Sequence, residues 1–143
     1  MALAWSLDDE RDDLAAAALE HVEAHGALAP MLWSYEVANV LALLTRRGRL
    51  DAERATEIGL ALDALRIATV PPDMPKWRAG TMSLAATYDL TVYDASYLRL
   101  AVVTGAQLAT RDRALQTAAR TLGIEFGTAN GGADAGKSSE RSR

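Results

Sequence analysis

Short apolar runs alternate along the chain with longer segments whose apolar residues recur at helical spacing. The clearest helix is "LWSYEVANVLALLTRRG", in which Trp33, Val37 and Val40 begin one apolar stripe and Gly48 ends the segment. Further helices are predicted from about Asp12 to Ala24, after the cap Asp51, over "KWRAGTMSLAATY", over "ASYLRLAVVT" after Asp94, and over "RALQTAARTLG". Short strands are predicted at "GALAP", "RIATV", "AQLAT" and "IEF". This alternation is typical of an α/β fold with a mostly parallel sheet.

The two ends of the chain differ from its middle. The opening "MALAW" is apolar from Met1 and no entry turn precedes it, so we interpret the chain as beginning inside an element. From Gly127 the segment "GTANGGADAGKSSERSR" is small, polar and without periodicity, which predicts a disordered tail over residues 127–143. The folded domain is therefore expected over residues 1–126.

The composition excludes several classes of protein. No run approaches the roughly 18 apolar residues that span a bilayer, and there is no cysteine for a disulfide or a thiolate metal site. The stretch before Asp8 lacks the basic start of a secretory signal, which predicts a cytoplasmic location. A net charge of −4 argues against a broad basic surface that binds nucleic acid. It leaves open a small acidic site that handles phosphates through a bound cation.

Three acidic residues occupy positions that solubility does not explain. Glu36 lies three residues after Trp33 and four before Val40, which puts it within the apolar arc of the helix, where a charge needs a partner. Asp112 follows the predicted strand "AQLAT" at its carboxyl end, where open α/β sheets bind ligands. Asp94 stands between a short apolar run, predicted to be extended, and an apolar helix.

Each of these acids also has a simpler explanation. Asp94 and Asp112 are favoured N-cap residues, and Glu36 is explained by an internal salt bridge, for example with an arginine. A shared metal site explains all three together. Two carboxylates about 4 Å apart repel by about 4 kcal/mol at an effective dielectric constant near 20, so a cluster takes up protons or binds a cation. Oxygen ligands favour Mg²⁺ or Mn²⁺ over zinc.

The motifs "LWSYEVANVL", "LTVYDASYLRLA" and "AQLATRDRALQTAA", in that order, resemble those of the PIN-domain ribonucleases, in particular the VapC-type toxins of bacterial toxin-antitoxin pairs. The resemblance implies an α/β/α sandwich around a parallel sheet and a metal-dependent endoribonuclease with a ring of four acids. Glu36 matches the second acid, Asp94 the third and Asp112 the last. Thr110 matches the hydroxyl residue two positions before the last acid. These four residues are the expected catalytic set, with the three carboxylates as ligands of Mg²⁺ or Mn²⁺.

The resemblance also implies partners and a missing first strand. The expected partners are an RNA substrate, a cognate antitoxin protein and a second copy of the chain in a homodimer. In the family, the stretch matching "MALAW" is preceded by a short apolar strand in the middle of the sheet, and that strand carries the first acid. We therefore expect Met1 to be an internal methionine of a longer natural protein. The alternative is a catalytically impaired module that binds and sequesters antitoxin.

Other features have two interpretations each. His21 and His25 have the i,i+4 spacing of zinc helices, but cations near the end of a helix also interact well with its dipole. Arg46, Arg47 and Arg49 either cap a helix or contact RNA phosphates. A set of apolar residues is predicted to be core, with a groove for a partner helix as the alternative: Trp5, Leu7, Ile58, Leu62 and Leu65.

Overall fold

The computed structural model describes residues 2–5, 12–73 and 76–127. After a short 3₁₀ helix over Ala2–Trp5, this part of the chain forms α1 (Asp13–His25), β1 (Ala27–Pro30), α2 (Leu32–Arg46), α3 (Ala52–Asp63), β2 (Ile67–Val70), α4 (Lys76–Tyr88), α5 (Val92–Thr104) and α6 (Arg113–Thr121). The predicted α/β class is confirmed. Leu7 and the tail from residue 128 lie outside the described residues. No α-helix in the described ranges has both the length and the apolar content that a membrane crossing requires.

Local capping sets the ends of the helices. The Asp12 carboxylate accepts the Ala15 backbone N–H at 2.7 Å at the start of α1, and Asp51 caps α3 in the same way. Gly26 ends α1 with φ +81°, and a Cβ at this position would lie 2.9 Å from the Arg66 carbonyl oxygen. Only glycine fits this close approach of two backbone segments, and β1 begins at the next residue.

The start of α5 differs from the prediction. The run before Asp94 was expected to be extended, but α5 begins at Val92 and its N-cap is Thr91, whose hydroxyl accepts the Asp94 backbone N–H at 3.1 Å. Val92 and Tyr93 are exposed, as suits the outer face of a first helical turn. The N-cap explanation of Asp94 is therefore wrong, because Thr91 is the N-cap and Asp94 lies inside the first turn of the helix.

The sheet is smaller than predicted. β1 and β2 pair in parallel, with α2 and α3 forming the crossover between them. The predicted strands "AQLAT" and "IEF" are wrong as continuous strands, since they form only an isolated parallel bridge between Leu108 and Glu125. Leu108 donates its N–H to the Ile124 carbonyl at 2.7 Å and accepts the Phe126 N–H at 3.1 Å. An isolated pair of short strands without further neighbours is only marginally stable, which explains this reduced pairing.

The buried side chains form two clusters rather than one. The first lies around α5, α6 and the Leu108 bridge and contains Leu98, Ala101, Leu108, Leu115, Ala118 and Ala119. The second lies between α2 and α3 and contains Leu41, Ile58 and Leu62, with Trp5 and Leu65 packed against it. The core assignment of the described members of the predicted apolar set is thus confirmed. Members of both clusters line a single cavity of about 610 Å³.

Leu98 is the largest fully buried side chain of the described residues. We expect Leu98→Ala to lower the free energy of unfolding by about 3 kcal/mol, because it removes apolar contacts and leaves a void in the first cluster. Val103→Ala on the same helix is the matched control, since Val103 is 62% exposed, and it should change stability by less than about 0.5 kcal/mol. Urea denaturation measures both, and equal losses would contradict this description of the core.

Candidate active site

Four residues predicted to form the site line the same cavity, although they come from separate parts of the chain. Glu36 comes from α2, Asp94 from the first turn of α5, and Thr110 and Asp112 from the segment that leads into α6. The cavity walls between them are largely apolar and include Trp33. The fold therefore brings together side chains that are up to 76 residues apart in the sequence (112 − 36).

Glu36 is held by a tyrosine rather than by a cation. Its side chain is exposed at the rim of the cavity and accepts a short hydrogen bond from the Tyr97 hydroxyl. Among the described residues no ion pair involves Glu36, so the alternative explanation of this residue, an internal salt bridge with an arginine, is wrong there. The Tyr97 phenol is neutral, so its hydrogen bond to the Glu36 carboxylate brings no opposite charge to the cavity.

Tyr97 was missed by the sequence reasoning. It lies three residues after Asp94 on α5, so both side chains project from the same face of the helix, and this spacing was the available signal. Burial raises the pKa of Tyr97 well above its usual value, and the hydrogen bond to Glu36 and the charges of Glu36 and Asp94 raise it further. Tyr97 is therefore a proton-retaining donor that links α5 to α2.

Asp94 has a local partner of its own. Its carboxylate accepts the Thr91 hydroxyl hydrogen at 2.6 Å, while the Thr91 oxygen accepts the Asp94 backbone N–H. This reciprocal arrangement resembles a capping box. The backbone of the first turn of α5 is thereby fixed, and Asp94 is oriented at the edge of the cavity.

Asp112 does act as an N-cap, as one of its two interpretations proposed. Its carboxylate accepts the Leu115 N–H at 2.8 Å, and its own N–H donates to the Thr110 hydroxyl at 3.1 Å. Gln116 donates to the Thr110 carbonyl at 3.0 Å, which closes the turn. Thr110 therefore positions the backbone that carries Asp112. Capping uses one oxygen of a carboxylate that can accept several hydrogen bonds, so it does not exclude a further role.

A second missed residue is Arg111, which also lines the cavity. Its Nε lies 3.2 Å from the Asp12 carboxylate, so the segment before α6 is tied to the N-terminus of α1. Both side chains are more than a third exposed, which makes the pair a weak contributor to stability. Its effect on the site is positional, because it restrains the residue next to Asp112.

Comparison with protein families identifies the fold. The model of the PIN domain matches residues 1–121. This chain belongs to the PIN domain family. PIN domains are generally metal-dependent nucleases. No curated protein matches the sequence.

Divalent ions are the usual cofactors of PIN domains, and the carboxylates around the cavity have the right chemistry for them. The positions of these carboxylates do not fit a bound metal ion. Across residues 2–5, 12–73 and 76–127, no three acidic or histidine side chains are grouped closely enough to hold a metal ion. Glu36, Asp94 and Asp112 each accept a hydrogen bond from a different protein group instead. The described residues therefore supply the ligand types but not a preformed metal centre.

Of the remaining candidate residues, His21 lines the same cavity as the acids, but its ring packs against other rings. The rings of His21 and His25 stack at 4.5 Å, and His21 meets Phe126 edge-on at 5.4 Å. No described group supports a zinc site there. Arg46 lies in the last turn of α2 and Arg47 is its C-cap, positions at which a cation interacts favourably with the helix dipole.

The link between Tyr97 and Glu36 has a measurable pH signature. Because the pKa of Tyr97 is raised in the folded state, its contribution is fully present below about pH 10, the usual tyrosine value, and is lost as pH rises above it. We expect Tyr97→Phe to cost about 1 kcal/mol at neutral pH and to flatten the loss of stability above pH 10. Exposed Tyr93 is the matched control. If Tyr93→Phe flattens the alkaline profile equally, the link does not hold Glu36.

Proposed function

We propose that this PIN domain is a metal-dependent endoribonuclease of the VapC toxin type, acting in the cytoplasm on single-stranded RNA. The observation that carries the proposal is the convergence of Glu36, Asp94 and Asp112 on one cavity in a member of a nuclease family. A cognate antitoxin protein holds it inactive, and the active form is a homodimer. These two partners rest on the resemblance of the three motifs to the toxins.

The proposed cofactor is Mg²⁺ or Mn²⁺, because the acids around the cavity offer only oxygen ligands. Side chains of the protein itself orient the three acids. Tyr97 keeps its proton and orients Glu36, while Thr91 orients Asp94. Thr110 fixes the backbone of Asp112. Three acidic side chains line the cavity and repel a bare phosphodiester, which is why the proposed reaction depends on a cation.

RNA binding at a distance from the acids is assigned to the arginines at the end of α2. At 1.5 Å per residue, Arg46 lies about 15 Å along the helix axis from Glu36, so it contacts the flanking backbone and not the phosphate that is cut. Arg47 and Arg49 lie one and three residues after Arg46 and are exposed. Such phosphate contacts position RNA without reading its sequence.

Asp94→Asn tests the acidic site. We expect the substitution to abolish Mg²⁺-dependent cleavage of a single-stranded RNA, since it removes a charge while keeping the shape of the side chain. It should also remove the stabilisation by Mn²⁺, which for the parent is about 2.7 kcal/mol when the free ion is at 100 times its Kd. Asp63→Asn, an exposed acid at the end of α3, is the control and should keep both properties. Cleavage by the Asp94 variant at the parent's rate would refute the site.

The arginines have a separate test. Replacing Arg46, Arg47 and Arg49 together with alanine should weaken RNA binding and reduce the slope of log Kd against log salt by about 2, at roughly 0.7 per phosphate contact on a single strand. Binding is followed by fluorescence anisotropy from low to moderate salt. Replacing Arg54, Lys76 and Arg78 together with alanine, three exposed cations on α3 and α4, controls for net charge. An unchanged slope in the triple variant would assign the three arginines to helix capping.

A second candidate function is favoured by one observation. Because the described carboxylates do not form a metal-holding group, a catalytically impaired module that binds antitoxin also accounts for the structure. RNA cleavage by the purified protein, with Mg²⁺ and with a chelator, separates the two functions. Metal-dependent cleavage supports the nuclease, and antitoxin binding without cleavage supports the module.

A further inference from the structure

Two exposed aromatic rings lie beside the acids of the cavity. Tyr35 is 75% exposed and directly precedes Glu36, and Tyr93 is 69% exposed and directly precedes Asp94. The three tryptophans, the phenylalanine and the other two tyrosines are all at least partly buried. Single exposed apolar side chains are normal on a protein surface. Here, however, each exposed ring adjoins a candidate metal ligand, which points to a role at the site.

The two rings lie next to the rim of the cavity and not inside it. Glu36 and Asp94 are among the described residues that line the cavity, and Tyr35 and Tyr93 are not. Successive residues of a helix point about 100° apart, so each ring projects beside the acid, with its Cα about 3.8 Å from that of the acid. Tyr35 belongs to α2 and Tyr93 to α5, the two helices that the hydrogen bond from Tyr97 to Glu36 connects. Each of the two helices therefore presents one ring at the site.

The two rings have no partner within the described part of the chain. There, neither hydroxyl takes part in a hydrogen bond and neither ring stacks on another ring. Met31, four residues before Tyr35, is also exposed, at 45%, and lies on the same side of α2. A tyrosine ring is flat and has few rotatable bonds, so ordering it against a ligand costs little conformational entropy. The rings are thus available to a ligand with a flat apolar face.

The ligand of these rings has to fit beside the acids that would bind a phosphate through a cation. Every nucleic-acid base has a flat face that stacks on an aromatic side chain, and a single strand carries its phosphates beside its bases. With a net charge of −4, the protein gains little affinity for RNA from counterion release, and stacking supplies affinity that does not depend on charge. A protein partner would also cover the rings, but it would not place a phosphate at the acids. An unpaired base therefore fits these rings best.

We propose that Tyr35 and Tyr93 are stacking sites for two unpaired RNA bases that flank the phosphate at the acids. One base stacks on the ring of α2 and the other on the ring of α5, so the strand is held across the rim of the cavity. The bases of a duplex are stacked on one another and cannot reach the rings. Stacking does not read the identity of a base, so these contacts select single-stranded RNA without selecting a sequence. This inference rests on the proposed nuclease function and names the form of RNA that the site accepts.

The test measures the binding of a short labelled RNA to the full 143-residue protein and to single variants of each tyrosine. The RNA is a single strand of mixed sequence, and fluorescence anisotropy is read with Ca²⁺, another oxygen-liganded ion, in place of Mg²⁺. Electrophoresis after the titration confirms that the RNA is intact. Tyr35→Leu and Tyr93→Leu should each weaken binding by at least about tenfold, the equivalent of about 1.4 kcal/mol, because leucine is apolar but has no flat ring.

The conservative variants Tyr35→Phe and Tyr93→Phe keep the ring and should bind within about twofold of the parent. Both positions are exposed, so all four variants should keep the melting temperature of the parent. Met82→Ala removes an exposed apolar side chain from α4, where no described residue lines the cavity, and should leave RNA binding unchanged.

Two further RNAs separate stacking from charge. An abasic strand of the same length carries the same phosphates without bases, so the parent and both leucine variants should bind it equally. The duplex formed with the complementary strand should also show no difference between the parent and these variants, because its bases are inaccessible.

The outcomes distinguish this inference from the proposed function. If the parent binds the single strand and both leucine variants bind it equally well, the inference is overturned while the proposed nuclease function stands, and the rings are assigned to a protein partner. Equal weakening for the normal and the abasic strand would also overturn the inference, since the rings would then act through the acids. If the parent binds no RNA, the proposed function and the inference both fail.

Discussion

The requirement that backbone N–H and C=O groups find partners organises this structure more than any single side chain does. A strand satisfies its groups only when another strand lies about 4.8 Å away, and here the two strand pairs each have a neighbour on one side. The sheet is interrupted between the β1–β2 pair and the Leu108 bridge. The core is accordingly divided into two clusters, and residues next to both of them line the cavity. The positions of two acids follow from this division. β1 is followed by α2, which carries Glu36, and the Leu108 segment is followed by Asp112 at the start of α6.

A separate hydrogen bond holds each of the three acids, and two of these bonds are local. Thr91 binds Asp94, and the first turn of α6 binds Asp112. The link between Tyr97 and Glu36 is different, because it joins residues 61 positions apart and connects α5 to α2 across the cavity rim. Tyr97 is well suited to this link, since burial and two nearby negative charges keep its proton in place. The site is therefore preorganised in orientation, although its carboxylates are not gathered around one point.

In this member of the PIN domain family, the types of the candidate metal ligands and the positions of these ligands have separate causes. The ligand types are encoded in three short motifs. Their relative positions depend on how the two halves of the sheet are spaced, and the described residues hold the halves together mainly through α5, which packs against α4, α6 and β1.

The sequence by itself determined the features that depend on neighbouring residues. Asp12 and Asp51 as N-caps, Gly26 as the end of α1, and the helical stripes were all predictable, because capping and periodicity act over three to five residues. The resemblance of the three motifs implied that Glu36, Asp94 and Asp112 share a site, and this stays a prediction, although all three line one cavity.

Only the tertiary structure decided the rest. The α5 start at Val92 depends on a choice between two capping residues three positions apart, Thr91 and Asp94, that local pattern does not resolve. The partner of Glu36 is Tyr97, which no local rule pairs with it across 61 residues. The strands "AQLAT" and "IEF" have the composition of strands but pair at a single bridge, because pairing requires a neighbour in space and not a propensity in the sequence.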